Sequence, residues 1–159
     1  MKWRPAEQLM VEFVALNLRR SDDLECRYAY GICGAQALLE AWMASEVVNC
    51  ICADNGEPLG VAGLNGNVVW LLGTDGLTAT PQRRAALALG GRRWTDHLLE
   101  EQEMVGETPL LENWVFAANV ESVRWLRSMG FSVSKPEPMG PSCQLFRHAW
   151  RKADADSIA

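Results

Sequence analysis

Asn119 stands between a strand-like apolar run, LLENWVFAA, and an amphipathic stretch, VESVRWLRSM, that closes on Gly130-Phe131. In that place its side-chain oxygen can cap the helix by accepting the amide of Glu121 or Ser122. A second group of chemically able residues follows the run WLLGTDG: Arg83 and Arg84 open a helical stretch and Ala86 and Ala88 follow them. Helix-start amides beside two guanidiniums make an anion site, a phosphate for example, whereas the same arginines with Arg92 and Arg93 also read as a solvated basic face. Asp75, at the end of that strand, and Glu112, on the next one, are the carboxylates best placed to take a proton. Asp75 also reads as a turn aspartate binding amides before Gly76.

The remaining reactive types read as structural. His97 and His148 have no companion nucleophile at a recognisable spacing, and Cys143 would need His148 folded against it. Cys26, Cys33, Cys50, Cys52 and Cys143 are odd in number and lack paired metal-ligand spacing, so buried thiols are expected and no metal. Cys50 and Cys52 form C-x-C on an expected strand, whose period of two points both to one face. Trp70, Trp114 and Trp125 are expected as core, with a cleft lining as the other reading.

The elements that position these groups follow from periodicity. Leu9, Phe13 and Leu16 mark a first helix over about Pro5 to Arg19, and Ser21 is expected to cap a second with Asp22 and Asp23 in its first turn. Gly31 and Gly34 break the chain before a helix over Ala35 to Ala44, with Leu38, Leu39 and Trp42 inward. EVVNCICA, PLGVAGL and NVVWLLG then read as an antiparallel meander, turned at Asp54-Asn55-Gly56 and Asn65-Gly66, its third strand central. Thr80 caps a long helix with Pro81 at its first position and Leu87, Gly91, Trp94 and Leu98 on one face. Gly130 suits the left-handed residue ending the next helix, and FSVS and CQLFRHAW flank a Pro-rich turn as final strands. The order implies an α/β (or α+β) domain, one mixed, mostly antiparallel sheet with helices on both faces, over residues 1–150. Residues 151–159 are expected to fray as a tail.

Composition excludes some classes. At 159 residues, 48% hydrophobic and 22% charged, the chain is globular, and a net charge of −5 argues against a general nucleic-acid binder. No apolar run reaches the roughly 18 residues of a membrane span and MKWRPAEQ lacks a signal-peptide core, so a cytoplasm is the expected compartment.

The element order, with Asn119, about ten residues of helix and Gly130-Phe131, resembles the GNAT superfamily of acyl-CoA N-acyltransferases over roughly Trp3 to Trp150. The resemblance implies that strands Asn67 to Gly73 and Leu110 to Ala117 splay apart and that acetyl-CoA or CoA lies between them. It implies contacts from Leu71, Leu72, Gly73 and Asn119 and a pyrophosphate cradle of pattern Q/R-x-x-G-x-G/A over Arg83 to Ala88. Two positions depart from the pattern. Ala86 stands where a glycine is expected, and Leu126 stands where many members carry the tyrosine that protonates the CoA thiolate. Trp125 cannot replace that acid, since an indole N–H is not one at neutral pH. WLLGTD, L-x-N-x-V from Leu111 and N-x-x-x-x-R-W-L-x-x-x-G-F from Asn119 are similar to the phage GNAT-like group that includes internal virion protein A of short-tailed phages. That similarity implies a phage-encoded protein with degenerate catalytic motifs, in the host cytoplasm or the particle, that binds phage structural or host proteins in virion assembly, DNA ejection or on a host target. The alternative it leaves is an active acetyl-CoA-dependent N-acetyltransferase for a small-molecule or protein amine.

Overall fold

A computed structural model describes residues 1–153. In chain order the elements are β1 (Lys2–Pro5), α1 (Gln8–Leu16), α2 (Arg20–Tyr30), α3 (Gly34–Ala44), β2 (Val47–Cys52), β3 (Pro58–Asn65), β4 (Val68–Gly73), α4 (Pro81–Met104), β5 (Leu110–Phe116), α5 (Val120–Ser128), β6 (Ser132–Val133), β7 (Glu137–Met139) and β8 (Gln144–Lys152). They build one sheet of order β1-β2-β3-β4-β5-β8-β6, with β7 also on β8. Every pairing is antiparallel except β4–β5, which is parallel and holds in register only at Val68 opposite Glu112. By contrast β5 and β8 stay paired from Leu110–Lys152 to Phe116–Phe146. The sheet therefore opens into a V between β4 and β5, closed at the Val68 end.

Both faces are covered. Leu98, Leu99, Val123, Leu126 and Met129 of α4, α5 and the turn after α5 pack on Leu111, Val115 and Ala149 of β5 and β8. On the opposite face Val11 and Val14 of α1 and Leu38 of α3 pack on Val61 of β3. The local signals that set α4 act as expected: Thr80 accepts the Arg83 amide at 3.1 Å, and Pro81 takes the first helical position. The long helix is anchored at its middle by Arg151, buried, whose guanidinium donates to Thr95 Oγ1 at 2.6 Å and to Asp96.

Several expectations are corrected. The WRP segment is an edge strand, Trp3 opposite Ile51, and an edge tolerates Pro5 because the missing amide faces no partner. Helix α1 therefore starts at Gln8, and the side it buries is Val11 and Val14. Leu9 (79% exposed) and Leu16 (84%) face outward, as does Leu39 of α3. Helix α2 begins at Arg20, with Arg19 rather than Ser21 at its cap position. The Pro-rich turn contains β7, so β8 is shared between two short partners. Strand β8 runs on through Lys152, two residues past the expected domain end. The rest of the expected tail, 154–159, lies outside the described residues.

Candidate functional site

The open end of the V is filled from α2. Arg19 donates its backbone amide to Gly73 O at 2.9 Å, and Asp22 accepts the Gly73 amide at 2.8 Å while its other oxygen lies 2.7 Å from Arg19 Nε. Both side chains are buried. Three residues on, Glu25 reaches across the gap and accepts Asn119 Nδ2 at 3.0 Å. Asn119 thus works at both ends, because its Oδ1 accepts the Ser122 amide at 3.3 Å and caps α5. One helical face of α2, in steps of three residues, so supplies Arg19, Asp22 and Glu25 to a cleft between strands. No sequence motif marks them; the spacing of charges on an otherwise packed helix is the one available signal.

This cluster is short of positive charge. Burial pushes the Asp22 carboxyl up, against the Arg19 guanidinium that holds it down. Burial also pushes Glu25 up, to about 7, with the Asn119 hydrogen bond opposing and the Asp22 charge adding. Two carboxylates face one guanidinium in a low-dielectric site, so Glu25 exchanges a proton near neutrality. Cys26 on the same helix is pushed up to about 12, by burial first and then by Glu25 and Asp22, which leaves it a neutral thiol.

Glu25 joins two hollows, with Leu71, Leu72 and Asn113 lining both. The outer one, about 440 Å³, lies between α2, α3 and the strand pair, walled by Ala29, Ile32, Ala37, Trp70 and Trp114. The inner one, at the V itself, is about 40 Å³ and ends on Trp125 and Leu126. On the far side of Trp125 a third hollow, about 550 Å³, opens between α4 and α5 beside Arg84, Ala88, Glu121 and Arg124. Trp125 is the partition: its ring packs against Gly91, where a Cβ would meet it at 3.0 Å, and its indole N–H is buried without a partner. Amides alternate sides along a strand. Because Thr74 donates to Leu59 of β3 and Gly73 to Asp22, the Leu71 N–H faces the V.

The residues expected at an anion cradle are distributed differently. A 3₁₀ turn, Asp75–Thr78, precedes α4, so Arg83 to Ala88 are already helix. Arg83 Nη1 donates back to Gly76 O at 2.7 Å and Arg84 Nη1 to Thr78 O at 2.9 Å. With Pro81 lacking an N–H and Thr80 taking the Arg83 amide, the start of α4 is served from within the chain. Ala86 lines a shallow hollow with Met1 and Asp54, on the other side of α4 from Ala88. Of the two expected proton acceptors, Asp75 is exposed in the 3₁₀ turn, and Glu112 sits at the closed end of the V. Glu112 Oε2 lies 3.1 Å from His148 Nε2, whose ring stacks between Trp114 (4.9 Å) and Trp150 (5.3 Å). Cys143 is five residues from His148 along the run into an extended strand, about 16 Å, so these two do not meet. Among the described residues no cluster of His, Cys, Asp or Glu is arranged to hold a metal, and no helix is long and apolar enough to cross a membrane.

Leu126 and Gly130-Phe131 turn out to be one structural unit. The Phe131 amide donates to Leu126 O and the Gly130 amide to Arg127 O, with Gly130 at φ +89°, which is the double hydrogen bond of a Schellman cap. Leu126 and Phe131, the hydrophobic pair of that cap, are both buried.

An open sheet parted between a parallel central pair, with the cleft bounded by helices from both faces, defines the GNAT fold. Solved structures agree: the chain superposes on spermidine N-acetyltransferase from Vibrio cholerae, solved with CoA and spermine, at TM-score 0.66 and 10% identity, covering 95% of this chain and 94% of that one. A GCN5-related N-acetyltransferase from Kribbella flavida gives 0.60 at 14% identity, covering 95% and 96%. No family model matches the sequence. No curated protein matches it either.

Proposed function

We propose that this is a phage-encoded GNAT-fold protein whose catalytic motifs have degenerated and which acts by binding, within the assembling particle and its DNA-ejection apparatus or on a host protein. The observation that carries the degenerate part is the closed V. Its inner hollow, about 40 Å³, has room for a few water molecules, far below the bulk of a pantetheine arm. Three further features support the reading: Leu126 is committed to the core, the Arg83 amide and the Arg83 and Arg84 guanidiniums are bonded within the chain, and the expected acid and glycine are both replaced. The phage assignment is supported by the WLLGTD, L-x-N-x-V and N-x-x-x-x-R-W-L-x-x-x-G-F runs. Protein-composition analysis of purified particles tests it, together with deletion of the gene. The chain is expected in the particle or at an assembly intermediate; its absence from both, with no assembly defect on deletion, contradicts the role.

The second reading is an acetyl-CoA-dependent N-acetyltransferase, and the observation in its favour is Glu25. A carboxyl held near 7 beside an outward amide at Leu71 has the proton affinity of a general base for an ammonium acceptor. On this reading CoA would approach past Arg84 and Arg124, and Trp125 would have to swing out to admit it. Steady turnover of acetyl-CoA with an amine, lost in Glu25→Gln, would establish it over the first reading.

A further inference from the structure

We infer that the groove between the C-terminal end of α4 and the β3–β4 turn is a docking face for a segment of another protein that is both basic and apolar. The groove lies at the closed end of the V, whereas Glu25 and Asn119 stand at the open end, so it holds under either reading above. It is a hollow of about 780 Å³ with Leu64 and Leu98 as its buried wall. On its rim Met104 and Val105 are 84% and 73% exposed, an apolar pair that the fold leaves uncovered beside an apolar wall. Methionine in such a place adapts to the shape of what lands on it and is enriched in protein interfaces. The groove is preformed, because Gln102, buried in its wall, donates to Asn67 Oδ1 and Leu110 O and accepts the Leu110 amide.

The charge around the groove selects its occupant. Glu46, Glu101 and Glu107 line it, with no Lys or Arg among the lining residues. The end of α4 also holds Glu100 and Glu103 and no basic residue in its last turn, and the chain has no Lys or Arg from Trp94 to Val123. A helix C-terminus carries partial negative charge on its free carbonyls, so carboxylates there are repelled by the dipole and by one another. Glu101 meets the His97 ring at 3.2 Å and Glu46 accepts the Gly66 amide at 3.0 Å, while no guanidinium or ammonium of the described residues pairs with either. A cation from outside relieves that repulsion, and apolar side chains next to it cover Met104, Val105 and the leucine wall. A bare cation would leave them uncovered, and among the described residues no ligand set is arranged for a metal. The matching occupant is a protein segment in which Lys or Arg is interleaved with Leu, Ile or Phe.

The test uses the whole chain, without cofactor, as bait for a yeast-displayed library of random peptides, followed by calorimetry on the most enriched peptide. Enriched sequences are expected to combine Lys or Arg with large apolar residues. The peptide should bind at least tenfold more weakly to Glu101→Lys and to Met104→Ser, while Glu137→Lys, the same charge change on exposed β7, leaves its affinity within about twofold. In the wild-type chain the affinity should fall at least threefold between about 50 mM and about 300 mM salt as the charges are screened. Loss in Glu101→Lys alone would reduce the face to a cation patch, and a concentration-dependent dimer in sedimentation that disappears in Met104→Ser would assign it to a second copy; either overturns the proposal. So would a library that yields no cationic, apolar peptide, or peptides that bind the groove variants as tightly as the wild type. Should a variant fail to fold by circular dichroism, the composition of the enriched peptides and the salt dependence in the wild-type chain decide by themselves.

Discussion

At the scale of single residues, Asn119 and Glu25 join the two sides of the cleft. Asn119 caps α5 and holds Glu25, so Asn119→Ala removes a cap and a carboxylate partner; a loss of about 0.5 to 2 kcal/mol in denaturant unfolding is expected from the cap alone. Glu25 gives a pH signature whose sign is fixed. Its folded pKa, about 7, lies above the ordinary 4.5, so the folded state holds the proton more tightly than the unfolded chain. That contribution is full below about 4.5 and is lost as pH rises to about 7, amounting to about 3 kcal/mol across the window. In Glu25→Gln the slope over this range should flatten, as measured by urea unfolding at several pH values; parallel curves for the two proteins would place Glu25 in solvent. Gly63 makes a third test, since a Cβ there would come within 2.3 Å of the Trp70 ring. Gly63→Ala should destabilise by about 1 to 3 kcal/mol through overpacking, measured the same way.

At the scale of elements, the question is what closes the V. Trp125 packs with both the α4–α5 core and the Ile51–Leu77 core, so it ties the two sides of the opening together. Trp125→Ala should cost about 3 to 5 kcal/mol, a cavity-forming loss in a core aromatic, and should join the inner hollow to the one between α4 and α5. If closure is what excludes CoA, the variant gains measurable CoA affinity that the wild type lacks. Helix α1 offers the opposite case. Its Leu9, Phe13 and Leu16 share a periodic face, yet Leu9 and Leu16 project into solvent. Leu16→Ser is therefore expected to change stability by no more than about 0.5 kcal/mol, whereas Val14→Ala, on the buried side, should be far more damaging.

At the scale of the whole molecule, the fold was legible where local chemistry and tertiary packing agree. Thr80-Pro81, the two Gly turns of the meander and Gly130 at a left-handed position each specify their turn without help from distant residues. Strand β1 was not legible, because Trp-Arg-Pro carries no alternation and becomes a strand only through Ile51 and its neighbours. The buried side of α1 was ambiguous for a related reason: the helix is apolar on both sides, and packing against α3 and β3 decides between them. The site was less visible than the fold. Asn119 stands out as an interruption between two patterned segments, but Arg19, Asp22 and Glu25 read as ordinary helix charges until α2 is laid over the gap. Arg83 and Arg84 read as either an anion site or a solvated basic face, and nothing in the sequence shows the 3₁₀ turn that offers them carbonyls seven and six residues back.

Whether the narrow V between β4 and β5 excludes a CoA-type ligand decides between the two readings of this GNAT fold. Calorimetric titration of the purified chain with acetyl-CoA and with free CoA tests it most directly. Dissociation constants weaker than about 1 mM are expected for both, a binding free energy smaller than about 4 kcal/mol. Micromolar binding of either would contradict exclusion of the cofactor and favour the acetyltransferase reading.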